Sequence, residues 1–190
     1  MSTGDPLLGQ ARAFSALADA AARFFAEPSA DRAARVRERL GSCRVKAGAA
    51  RPGGDRTGRE DVLAVSRHLS EAAFQAAKAV DECLLFKVTS GRSLSLAAES
   101  LRDAAKELDL SVRTWMKGGR ERCVESVINA KRHAQQASRS ADAGVTEALH
   151  LPNTVESIKF KETFARLSRS ADEAHQAADR IGEMAAVIND

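Results

Sequence analysis

Apolar side chains recur along most of this chain at steps of three and four, the spacing that lines residues up on one face of an α-helix. The pattern is cleanest from Asn153 to Asp190, where Phe164, Leu167, Ala171, Ala174, Ala178, Ile181, Ala185 and Ile188 follow one another. At about 1.5 Å per residue such a helix runs roughly 50 Å, so its seam can be covered only by helices of similar length. Asn153-Thr154, just after Pro152, supplies an N-cap, with Glu156 in the first turn.

The same reading predicts five further helices. The first carries Leu8, Ala11, Phe14, Leu17 or Ala18, Ala21 and Phe25 and stops near Glu27-Pro28. The second starts at Ser29 as cap and continues through Ala33, Val36, Leu40, Cys43 and Ala47. Periodicity fails over Gly48 to Gly58, which contains Pro52-Gly53-Gly54 and reads as a flexible loop. The third spans about Arg59 to Lys87, with Val62, Val65, Leu69, Ala72, Ala76, Ala79, Cys83 and Phe86 as its seam.

Thr89-Ser90-Gly91 breaks the chain near its middle. Ser93 is the expected cap of a fourth helix built on Leu94, Ala97, Leu101, Ala104, Leu108, Val112 and Trp115 and ended by Gly118-Gly119. A fifth, about Glu121 to His150, aligns Val124, Val127, Ala130, Ala134, Ala137, Ala141, Val145 and Ala148, and Leu151-Pro152 closes it. The expectation is therefore one all-α domain over residues 1–190, made of two consecutive three-helix halves, about 6–88 and 93–190. Ala73 to Ala77 echoes Ala174 to Ala178, which would set the two halves in a register three residues away from one that matches Ser70 with Ser168.

Composition sharpens this picture. Aromatics make up 4%, Tyr is absent, and alanine dominates a 44% hydrophobic fraction, which favours closely packed helices over a sheet. No run approaches eighteen apolar residues, and Met1 to Pro6 lacks a basic flank followed by an apolar core, so neither a membrane span nor a secretory signal is expected. Cys43, Cys83 and Cys123 form no paired spacing and read as reduced, buried thiols of a cytoplasmic protein.

The net charge of +3 is too small to argue for nucleic acid, but it is unevenly spread. From Arg32 to Arg59 there are nine Lys and Arg against Glu38 and Asp55. That stretch is a candidate contact for acidic loops or lipid head groups, with Arg35, Arg37, Arg44 and Lys46 as its named residues; the alternative is a solvated helix face. No Gly-rich phosphate loop, HExxH pair or GxSxG elbow occurs, and Gly118-Gly119-Arg120 reads as a helix junction, so no enzyme is expected.

Two stretches are similar to a known family: Arg59-Glu60-Asp61-Val62-Leu63-Ala64-Val65-Ser66-Arg67-His68-Leu69, and Ile158-Lys159-Phe160-Lys161-Glu162 continuing through Leu167 to Asp172 and Asp179. They resemble segments opening the third and sixth helices of the PhoU-like phosphate-uptake regulators, in particular the branch described as phosphate transport regulators. That family's plan is six helices in two three-helix halves, with Glu/Asp-x-x-x-Asp pairs that bind clustered metal ions. The spacing suits a cation because residues four apart share a helix face, so neighbouring helices can surround it with carboxylates.

In this chain the matching positions are eroded to Arg39 and Cys43, Ser70 and Phe74, Ser138 and Asp142, and Ser168 and Asp172. The second half keeps one carboxylate of each pair. Asp172, His175 and Asp179 share a helix face there, and Asp142 approaches from the fifth helix, so these four are the vestigial metal ligands; an exposed polar stripe is the alternative. With those pairs eroded, no resident cofactor is expected, with a weak divalent metal in the second half as the exception. The resemblance implies a non-enzymatic cytoplasmic regulator or accessory protein of phosphate uptake, peripheral at the inner face of the membrane. Such a protein would dock on a phosphate transporter or signalling protein, or form a homo-oligomer. The alternative is a helical-bundle interaction or assembly module unrelated to phosphate transport.

Overall fold

Pro28, Gly91, Gly118-Gly119 and Pro152 sit at helix junctions, and the glycines inside helices, such as Gly41 and Gly144, stand singly among good helix formers. In a computed structural model, which describes residues 4–49, 56–88 and 91–187, the order is α1 (Gly4–Ala26), α2 (Ala30–Ala49), α3 (Arg56–Phe86), α4 (Arg92–Met116), α5 (Arg120–Leu149) and α6 (Thr154–Val187). No strand occurs among the described residues. The class is all-α, as expected.

The boundaries follow local chemistry. Asn153 Oδ1 accepts from the backbone N–H of Val155 at 2.9 Å and of Glu156 at 3.4 Å, capping α6. Ser29 Oγ accepts from Arg32 N at 3.3 Å at the start of α2. Ser93 does not cap α4: Gly91 holds the N-cap position, and the Ser93 hydroxyl donates instead to Glu147 Oε2 on α5 at 2.8 Å. A tertiary partner has taken the side chain from the backbone. Gly118, at φ 71°, ends α4 in the left-handed conformation glycine tolerates, and its N–H bonds Trp115 O at 3.0 Å.

The expected loop over 48–58 is shorter than its composition indicates. Gly48 and Ala49 complete α2, and Arg56 to Gly58 open α3, while residues 50–55 lie outside the described residues, as does Ile188 of the α6 seam. Gly91 of the central break is described and residues 89 and 90 are not.

α1, α4, α6 and α3 pack in that order around a closed ring. α2 covers α1 and α3 from one side, and α5 covers α4 and α6 from the other. One hydrophobic core draws on all six helices, with Phe14, Phe24, Phe25, Leu69, Leu101, Leu108, Leu167 and Ile181 among its fully buried side chains. Each such residue stabilises the fold by roughly 1.5–3 kcal/mol relative to exposure.

The α5 seam differs from its expected line at the first turn. Cys123 is fully buried and Val124 is 38% exposed, because α5 contacts α4 as well as α6 and so turns its N-terminal end toward Ser111 of α4. From Ala130 the expected face holds: Ala130, Ala134, Ala137, Ala141 and Ala148 are buried. Against them lie Phe164, Leu167, Ala171, Ala174, Ala178 and Ile181 of α6. Small side chains bring the two axes close, and this closeness sets the polar rims of α5 and α6 face to face.

Candidate functional site

The α5–α6 rim gathers the positions that the sequence singled out in the second half. Ser138 and Ser168 share a hydrogen bond at 3.0 Å between their hydroxyl oxygens. Asp172 stands one turn further along α6. Desolvation pushes its carboxyl above the usual carboxylate range, the negative charge of Asp142 adds to this, His175 opposes it, Glu173 adds, and the Ser138 hydroxyl pulls it back. Asp142 of α5 and Asp172 of α6 are therefore electrostatic neighbours, and like charges facing each other oppose the folded state unless something positive stands between them.

His175 Nε2 lies 3.5 Å from Asp179 Oδ2, while its Nδ1 is buried without a hydrogen-bond partner. Asp179 is occupied on its other oxygen by Lys131 Nζ of α5 at 2.6 Å. Ser138, Arg139, Asp172 and His175 line a shallow cleft of about 380 Å³. Of the four residues named as metal ligands, Asp142, Asp172 and His175 are brought into one neighbourhood, and Asp179 is turned toward a lysine. Among the described residues, no three His, Cys, Asp or Glu groups converge closely enough to hold one ion. Lys131 and Arg139 place protein cations where a metal would compete with them.

In the first half the matching positions do not meet. Ser70 donates to Ser66 O at 2.8 Å and accepts from Gln10 Nε2 at 2.8 Å, so it is part of an α1–α3 contact. The Phe74 ring lies 5.9 Å from the guanidinium carbon of Arg44, a cation–π pair between α3 and α2. Cys43 is buried, and burial pushes its thiol up to about 12; Arg39 is exposed.

The basic stretch divides in the same way. Arg37 Nε pairs with Asp81 of α3 at 2.8 Å, Arg44 stacks on Phe74, and the Lys46 stem lies against α1 beside Gly9. These three side chains fasten α2 to its neighbours. Arg35 instead lines an open groove of about 900 Å³ between α1 and α2, together with Arg23, Arg32 and Arg39 and the carboxylates of Asp19, Glu27 and Glu38. In that groove Arg23 pairs with Asp19 at 2.9 Å and Arg32 pairs with Glu27. Arg35 and Arg39, one turn apart and exposed, have no carboxylate partner among the described residues.

Sequence reasoning missed a polar seam between α3 and α6. Glu173 Oε2 accepts from His68 Nδ1 at 2.7 Å, Ser170 Oγ donates to Ala72 O at 2.8 Å, and Arg166 bonds Glu82 Oε1 at 3.1 Å and Gln75 Oε1 at 3.2 Å. These pairs are 84 to 105 residues apart in sequence, so no local pattern announces them. They set the antiparallel register of α3 on α6.

No protein-family model matches the chain, and no curated protein matches it.

Proposed function

We propose that this chain is a non-enzymatic helical-bundle regulator of phosphate uptake that acts by docking on an acidic segment of a transporter or signalling partner. The observation that carries the reading is the meeting of Ser138, Asp142, Ser168 and Asp172 at one place on the α5–α6 rim. These are the positions at which the second half resembles the acidic pairs of the PhoU-like family, and residues from two helices coincide in space as such paired motifs require. With serine in place of one acid on each helix, and with Lys131 and Arg139 alongside, the rim retains the scaffold of a cation site and little of its charge. Regulation then passes through surface contacts.

The docking surface in this reading is the α1–α2 groove. Arg35 and Arg39 offer two uncommitted guanidinium groups on one helix face, a spacing suited to carboxylates of an extended acidic loop. Arg37 and Arg44 belong to the fold.

Phosphate uptake by cells lacking the protein, compared with cells supplied with the wild type or with Arg35→Glu/Arg39→Glu, tests both parts. The wild type restores the uptake response to phosphate supply and the double variant does not. Equal uptake with and without the protein at every phosphate level would reject a role in phosphate transport and leave a bundle module with another task. Full activity of the double variant would reject the groove alone.

A further inference from the structure

α5 packs on α4 and α6 and presents the remainder of its surface to solvent. On that outer face Val124 is 38% and Ile128 is 54% exposed, beside Glu121, Glu125 and Arg132, around a shallow hollow of about 600 Å³. Glu121, Glu125 and Arg132 form no ion pair within the chain among the described residues. Along the helix Arg120, Glu121 and Glu125 lie on the N-terminal side of Ile128 and Arg132 lies one turn beyond it, with Glu125 and Arg132, seven residues apart, on the same flank of Ile128.

We infer that this face pairs two copies of the chain through antiparallel α5 helices, with Ile128 on the two-fold axis. Antiparallel pairing about Ile128 sets Glu125 of one copy against Arg132 of the other, twice over, with Val124 and Ile128 of both copies forming the apolar centre. Parallel pairing would oppose Glu125 to Glu125 and Arg132 to Arg132. The charge order therefore selects a two-fold contact in which the same patch is its own complement. A single helix face buries less than the roughly 1,200 Å² of standard-size interfaces, so the dimer is a weak one, with a dissociation constant of about micromolar or above. The contact leaves the α1–α2 groove free, because α5 and α2 lie on opposite flanks of the ring.

Sedimentation equilibrium of the whole chain over a range of concentrations and salt tests the pairing. A monomer–dimer equilibrium that weakens with salt is expected. Glu125→Arg alone and Arg132→Glu alone each raise the dissociation constant about tenfold or more by setting like charges together, and the double exchange restores it to within about threefold. All three sites are exposed, so unfolding does not obscure the comparison. Ile128→Cys forms a disulfide between position 128 of the two copies on mild oxidation. A chain that stays monomeric at millimolar concentration, a double exchange that fails to restore pairing, or a dimer that position 128 does not cross-link overturns the inference.

Discussion

The ring of Phe164 on α6 fills the space that a side chain at Gly144 of α5 would need. A Cβ at Gly144 would overlap the Cε1 and Cζ atoms of the Phe164 ring and stand 2.7 Å from Cδ1. The ring is 3% exposed and belongs to the core, so it has nowhere to retreat. This contact fixes how close the two helices come at the C-terminal end of α5.

Gly144→Ala therefore tests the packing by its sign. Helix propensity alone favours alanine by about 1 kcal/mol in a helix interior. Overlap with a buried ring costs about 1–3 kcal/mol or more. Net destabilisation in urea unfolding is expected, and Phe164→Leu in the same chain recovers part of the loss. A Gly144→Ala protein more stable than the wild type would show that α5 and α6 stand further apart.

Lys87 ends α3 at φ 54°, a left-handed conformation that costs a residue with a side chain about 1 kcal/mol. The cost is accepted because the turn returns Val88 N to Cys83 O at 3.0 Å. Lys87→Gly should raise stability by about 0.5–1 kcal/mol, read as a rise of roughly 2 °C in Tm. A fall in Tm would mean that the lysine stem contributes more packing than its exposed position allows.

The three thiols are predicted to be inert in the folded chain. Burial pushes Cys43 up to about 12 and Cys83 up to about 11, and it also raises Cys123, whose Sγ donates to Ser111 O at 3.4 Å. A thiolate is the reactive form, so Ellman's reagent at pH 8 should titrate none of them until denaturant is added, and then all three. One thiol reacting in the native protein at the rate of a free cysteine would contradict the burial of its helix face.

Asp172 gives a pH dependence of defined sign. Its folded pKa lies above its unfolded value, through desolvation and the Asp142 charge, so the folded chain holds this proton more tightly. The carboxylate therefore costs stability above the folded pKa, and the cost fades as pH falls through that value toward the ordinary carboxylate range. Asp172→Asn should raise Tm slightly at pH 7, an effect kept small by solvent at this rim position, and the gain should shrink on acidification. A gain that grows as pH is lowered would reverse the assignment.

Six helices were legible in the chain because alanine, leucine and valine recur at helical spacing and proline or glycine marks each end. The cap at Asn153 and the close at Gly118 follow from short-range chemistry that a few neighbouring residues decide. Where a residue had a choice of partners, the local pattern was insufficient. Ser93 left its own helix end for Glu147, and Val124 was displaced from the seam by Cys123 once α5 had two helices to satisfy.

The candidate site divides along the same line. The amino-acid order placed Ser138, Asp142, Ser168, Asp172 and His175 on helix faces, because a face depends only on a 3.6-residue period. It could not pair Lys131 with Asp179, Arg37 with Asp81 or His68 with Glu173, since each of those contacts depends on how far one helix slides along another. That sliding is set by tertiary steric fit, such as the ring of Phe164 seated over Gly144, and it decides which charges fasten the bundle and which, like Arg35 and Arg39, stay exposed without a carboxylate partner among the described residues.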